Sequence, residues 1–198
     1  MYKKPLFLFT LLLIAAALHA QAPKDAYERY LDFNLTRLEG NTEKALDMGE
    51  ALLDSANALP EKSRVSFYNS MGKLYEDNHL PQSAIKYYEK VTVAVPNYYV
   101  AHRALGYIYL AIATDLYETL SGRKKNDPVY IRTMADYKAA ALKALPHLEI
   151  AQGCDPSDET LAVIKTLYTN MGDTAGLATL NERLAKLNKN CLDILSDN

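Results

Sequence analysis

The side chains of this 198-residue chain best suited to making or breaking bonds are two cysteines, Cys154 and Cys191, and four histidines. Their surroundings support little such chemistry. His79 falls in a turn and His147 on a helix, neither with a Cys, Asp or Glu at metal-ligand spacing. Neither cysteine has a histidine close by in sequence to draw off its proton. There is no phosphate-cradling glycine loop, no Gly-x-Ser-x-Gly elbow and no His-Glu-x-x-His. The residues therefore predict no catalytic group, no metal site and no cofactor. Two features with binding rather than bond-making chemistry remain. One is a basic run, Arg123-Lys124-Lys125; the other is tyrosine, with 15 Tyr against 4 Phe and no Trp.

The elements that must position these residues begin after residue 22. Lys3 and Lys4 open the chain, Leu6 to Leu18 is a nearly unbroken apolar run, and Ala20-Gln21-Ala22 supplies small residues for cleavage. Those 13 apolar residues fall short of the roughly 20 that span a bilayer, so residues 1–22 read as a cleaved export signal. An uncleaved N-terminal anchor is the alternative. No cysteine lies beside the cleavage site, which argues against a lipid anchor. Losing Lys3 and Lys4 leaves 20 basic against 24 acidic residues, a balance without the electrostatic footprint that nucleic acid requires. Export makes a Cys154–Cys191 disulfide permissible. Two unpaired thiols and a pair both stay open, because geometry decides.

From Tyr68 to Pro96 the chain reads Tyr-x2-Met-Gly-x2-Tyr, then Ala84, Tyr88 and Pro96. This resembles the tetratricopeptide repeat (TPR), whose unit of about 34 residues runs W-x2-L-G-x2-Y, A-x3-F, P. Gly72, Tyr75, Ala84 and Pro96 match by identity; Tyr68, Met71 and Tyr88 keep the side-chain class. Pro81 suits the first position of a second helix, and Asn97 the cap of the next. The opening returns as His102, Leu105, Gly106 and Tyr109, where His102 replaces a packing aromatic. The matching second-helix signature comes only at Ala144, Leu148, Ala151 and Pro156. Tyr75 to Ala84 is 9 residues and Tyr109 to Ala144 is 35, so 26 residues are inserted within one repeat.

The insertion reads as an extended helical hairpin. One arm runs to Ser121-Gly122; the other starts at Asp127-Pro128 and carries a stripe of Tyr130, Ile131, Met134, Tyr137 and Leu142. Thirteen residues per arm would carry both helices roughly 20 Å past an ordinary repeat. Beyond it, Leu161, Ile164 and Tyr168, a turn at Gly172-Asp173, and Leu177, Leu180, Leu184 and Leu187 form a degenerate capping pair. Before it, Tyr27, Tyr30, Leu31, Leu35 and Leu38 face Ala45, Met48, Leu52 and Leu59 across Gly40-Asn41.

The resemblance thus implies an all-α, right-handed TPR-like superhelix of about four antiparallel helix pairs, at residues 23–64, 65–98, 99–157 and 158–192. It also implies a concave groove lined by first helices. Carried onto this chain, the groove positions are Ser66, Asn69, Lys73 and Glu76, then Val100, Arg103, Tyr107 and Leu110, then Glu159, Ala162, Thr166 and Thr169. Of these, Asn69, Lys73, Glu76, Arg103 and Tyr107 carry partner chemistry: Lys73 and Arg103 for a carboxylate, Asn69 for hydrogen bonds, Tyr107 for stacking. Arg123, Lys124 and Lys125 would form a secondary contact at the hairpin tip. Tyr68, Tyr75, Tyr88 and Tyr109 fall at core positions, whereas Tyr87, Tyr98, Tyr99 and Tyr107 are free to face a ligand. The expected function is a non-enzymatic scaffold binding a peptide or protein. A glycan or small-molecule binder using exposed groove tyrosines is the alternative. The Ala-Gln-Ala signal end and a closing Leu-Tyr-x3-Gly-Asp pattern resemble TPR proteins of Gram-negative bacteria, which implies a periplasmic location.

Overall fold

The computed structural model describes residues 25–192; the expected export signal at 1–22 lies outside them. The described residues are helical throughout and contain no strand. No helix among them is long and apolar enough to cross a membrane. The chain divides into two compact units, one ending at Leu59 and one starting at Pro60.

In the first unit, α1 (Ala26–Leu38) packs on α2 (Thr42–Leu52), which runs on as a 3-10 segment, Leu53–Ala58. Asp25 caps α1 by accepting from the Glu28 amide at 2.7 Å, satisfying an amide the helix itself cannot. The inward face of α1 is not the expected one. Tyr30, Phe33 and Thr36 are buried, while Tyr27, Leu31, Leu35 and Leu38 are exposed. Apolar residues lie on more than one side of this helix, so periodicity left its rotation open, and the aromatic Phe33 takes the core. The partner helix also ends early, at Leu52, so Leu59 is buried from beyond the 3-10 segment.

In the second unit α3 (Glu61–Asp77) starts four residues ahead of the expected boundary at 65 and packs on α4 (Pro81–Ala94). Pro81 occupies the first turn of α4, where its missing N–H costs nothing. Gly72 lets the two helices close: a Cβ there would stand 2.8 Å from the Tyr88 ring. The next pair, α5 (Tyr99–Glu118) and α6 (Pro128–Cys154), repeats the device, with a Cβ at Gly106 falling 2.8 Å from the Leu148 side chain. Ala144, Leu148 and Ala151 are fully buried along α6. Asn97 does not cap α5; Tyr98 takes the cap position without a side-chain bond. The Asn97 carbonyl instead accepts from the Leu192 amide at 3.2 Å, drawing the chain's end against the start of α5.

The 26-residue insertion is unequal, unlike the symmetric hairpin expected. Aligned on Tyr75/Tyr109 and Ala84/Ala144, α5 gains seven residues, the connection six and α6 thirteen. The arms therefore extend by about 10 Å and about 20 Å. Asp127 caps α6 by accepting from the Val129 amide at 2.8 Å. Tyr137 is buried against Tyr117, ring centroids 5.0 Å apart, while Ile131 and Leu142 of the expected stripe face solvent. Pro146 sits on the exposed side of α6, which limits what its missing hydrogen bond disturbs.

α7 (Asp158–Met171) follows, and the expected last helix divides at Thr179 into α8 (Thr174–Ala178) and α9 (Leu180–Leu187). A buried polar cluster ties these ends to α6. Arg183 donates to both oxygens of the Glu149 carboxylate, at 2.9 and 2.6 Å, and the Tyr168 hydroxyl donates to the same carboxylate at 2.5 Å. Cys154 and Cys191 form a disulfide with a Cα–Cα distance of 5.3 Å. It fastens the end of α6 to the segment that bonds to Asn97.

Arg183→Ala would leave the Glu149 charge buried and unpaired, so it should cost about 3–5 kcal/mol in urea denaturation. Cys191→Ser opens a cross-link spanning 37 residues and should cost about 2–4 kcal/mol by chain entropy. The same loss should follow when the wild-type protein is unfolded in the presence of a reductant.

Candidate functional site: a polar groove on α3 and α5

Spacings of four and three put Asn69, Lys73 and Glu76 on one face of α3, and a spacing of four does the same for Arg103 and Tyr107 on α5. All five line one cavity of about 410 Å³, with Tyr88 of α4 behind them. Residues more than 25 positions apart in sequence thus share a single site.

The cations are not free, however. Lys73 reaches Asp77 at 2.5 Å, one turn along its own helix, and this hydrogen bond raises the ammonium's pKa. Arg103 donates to the Asp155 carboxylate at 2.6 Å and to its carbonyl at 3.1 Å, and lies over the Tyr99 ring. Both pairs are solvent-exposed, so each contributes only about 0–1 kcal/mol and is open to exchange. Glu76 accepts from the Tyr88 hydroxyl at 2.7 Å; burial and then that carboxylate hold the phenol well above its ordinary pKa. Tyr107 shares a 2.9 Å hydrogen bond with Thr160 of α7, so its hydroxyl is tied to a neighbouring helix rather than loose. Asn69 differs from the rest: its side-chain oxygen is sealed from solvent with no hydrogen-bond partner, which is a standing cost.

The tyrosines and the tip loop sort differently from expectation. Tyr87 and Tyr98 are core residues, and Tyr87 stacks on Tyr75 at 5.3 Å. Of the four tyrosines expected to be free, Tyr107 lines the groove. Arg123 is used by its own loop, donating to the Thr119 carbonyl at 3.0 Å and approaching Asp127 at 3.5 Å. Lys124 and Lys125 are exposed.

Sequence spacing did not reveal a histidine pair between α5 and α6. His102 and His147 meet Nδ1 to Nδ1 at 2.8 Å, and His102 Nε2 lies 2.9 Å from the Pro96 carbonyl. A carbonyl can only accept, so neutral His102 carries its proton on Nε2 and its Nδ1 accepts from His147 Nδ1–H. Desolvation lowers both pKa values, that of His147 to about 4, with His102 adding to the effect there. Among the described residues no group of His, Cys, Asp and Glu is arranged to hold a metal ion. The pair is a neutral clasp between the two long helices.

Compared with known proteins, the chain matches no family model and no curated protein.

The clasp predicts a pH dependence. Because His147 titrates near 4 in the folded protein and near 6.5 unfolded, its contribution is complete above pH 6.5 and drains away as pH falls towards 4. In that window the unfolded chain binds the extra proton. The loss should be about 2 kcal/mol after discounting for His147's partial exposure. Urea melts at pH 7 and pH 4.5 should show a smaller decline in the double variant His102→Gln/His147→Leu than in wild type.

Proposed function

We propose that the chain is a non-enzymatic binding module of the TPR kind, with the superhelix of about four helix pairs which that resemblance implies. It docks a peptide or protein segment in the groove on α3 and α5. The observation that carries this reading is the convergence of Asn69, Lys73, Glu76, Arg103 and Tyr107 on one cavity of about 410 Å³. The chemistry there suits a peptide. Lys73 and Arg103 can trade exposed internal carboxylates for one on the partner. The groove's cations are matched by Glu76, Asp77 and Asp155, so the preferred segment is polar and of mixed charge rather than uniformly acidic. The Cys154–Cys191 disulfide supports an oxidising compartment, consistent with export to a bacterial periplasm.

A photoreactive amino acid at groove position Val100 should capture a partner in the cell envelope, whereas one at Val93, which is 81% exposed on α4, should not. Lys73→Ala/Arg103→Ala should reduce the Val100 adduct roughly tenfold, as expected for losing charge-assisted contacts. Equal capture at both positions, or an undiminished adduct in the double variant, would sink the reading.

A further inference from the structure

The basic run at the end of the α5–α6 hairpin plays no part in the groove reading. Past Tyr117 the two arms are bare: from Glu118 to Arg132 only Leu120 is buried. This stretch holds four basic residues, Arg123, Lys124, Lys125 and Arg132, against two acidic ones, Glu118 and Asp127. The rest of the chain after residue 22 has the opposite sign, with the remaining 16 of 20 basic residues against 22 of 24 acidic ones. The hairpin end is thus a positive tip on an otherwise net-negative protein.

The charges there are unequally committed. Arg123 and Asp127 approach at 3.5 Å, and Asp127 also caps α6 through the Val129 amide. The side chains of Lys124, Lys125 and Arg132 are exposed and make no hydrogen bond or ion pair among the described residues. Two aliphatic side chains stand among them in the opening turns of α6, Val129 at 49% and Ile131 at 59% exposure. At two residues' separation they point about 200° apart around the helix. Only a surface met end-on touches both.

We propose that the hairpin end docks on an anionic lipid bilayer, with Lys124, Lys125 and Arg132 among the headgroups and Val129 and Ile131 at the acyl boundary. The size of the tip favours a bilayer over an acidic protein. A stable protein interface takes about 20–30 residues a side, whereas Glu118 to Arg132 is 15 residues with Leu120 turned inward. A bilayer has no minimum footprint. Each basic residue near its surface tightens binding about fivefold, and buried apolar area adds to that. Three unpaired cations, offset in part by Glu118, make a weak, reversible and salt-sensitive contact. The contact is independent of the groove on α3 and α5, and either can fail without the other.

The chain has no tryptophan, so Val129→Trp places a single reporter at the tip of the exported, disulfide-bonded protein, whether or not residues 1–22 are retained. Vesicles of phosphatidylglycerol and phosphatidylcholine in equal parts should shift its emission to the blue, saturably, and vesicles of phosphatidylcholine alone should not. Raising the salt from about 0.05 M to about 0.5 M shortens the Debye length about threefold and should reverse the shift. In the same background Lys124→Gln/Lys125→Gln should weaken binding about 25-fold. Flotation of the chain without the tryptophan, on the same vesicles, separates the tip from its reporter; there Ile131→Asn should weaken binding about fivefold or more. All these positions are exposed, so the variants should melt with the wild type. The proposal fails if the mixed vesicles leave the emission unchanged, if phosphatidylcholine alone shifts it equally, or if binding survives either variant undiminished. It also fails if soluble poly-L-glutamate produces the shift and vesicles do not, since the tip would then be a contact for an acidic protein.

Discussion

The close approach of α5 and α6 at Gly106 is the constraint on which the rest of the second unit depends. With no Cβ there, Leu148 fits against the α5 backbone, and among the described residues no other pair of helices packs as extensively as these two. That separation sets everything spanning the pair. It brings His102 within 2.8 Å of His147, puts Tyr117 on Tyr137, and leaves Asp155, just past α6, in reach of Arg103. A larger residue at position 106 would shift both the histidine clasp and the Tyr117–Tyr137 contact.

α6 then serves as the spine onto which the C-terminal helices are fastened. Apolar packing supplies most of the attachment, through Leu145, Ile164, Leu167 and Leu180. It has no strong directional preference of its own. Direction comes from Glu149, whose carboxylate is satisfied only when Arg183 and Tyr168 arrive together, and from the disulfide that holds the end of the chain beside α6. Buried polar groups of this sort add little net stability when complete and cost heavily when broken. They therefore fix where α7 and α9 sit more than how strongly they are held.

Exposed polar pairs behave differently. In the groove on α3 and α5, most polar groups are already matched internally by weak, exposed pairs, so a partner gains by exchange and affinity must come from many small terms.

Much of this was legible in the residues. Helical character, the cap at Asp127, Pro81 in the first turn of α4, and the shared faces of Asn69, Lys73 and Glu76 on α3 and of Arg103 and Tyr107 on α5 follow from local propensity and spacing, which act within a few turns; the close contacts at Gly72 and Gly106 and the meeting of the two faces in one groove were implied by the TPR resemblance. What depends on distant partners was not. Helix α1 has apolar residues on several sides, so its rotation waited on Phe33 finding the core. The insertion's division into unequal arms depended on where α5 could stop packing. The Arg103–Asp155 pair, the histidine clasp and the Glu149–Arg183 cluster join groups whose meeting no periodicity encodes, whereas Lys73 and Asp77 meet across one helical turn. By itself, the order of residues determined which side chains would share a helix face. The tertiary structure alone decided which of those side chains remain available to a partner, because availability depends on what else lies within hydrogen-bonding distance once the helices have packed.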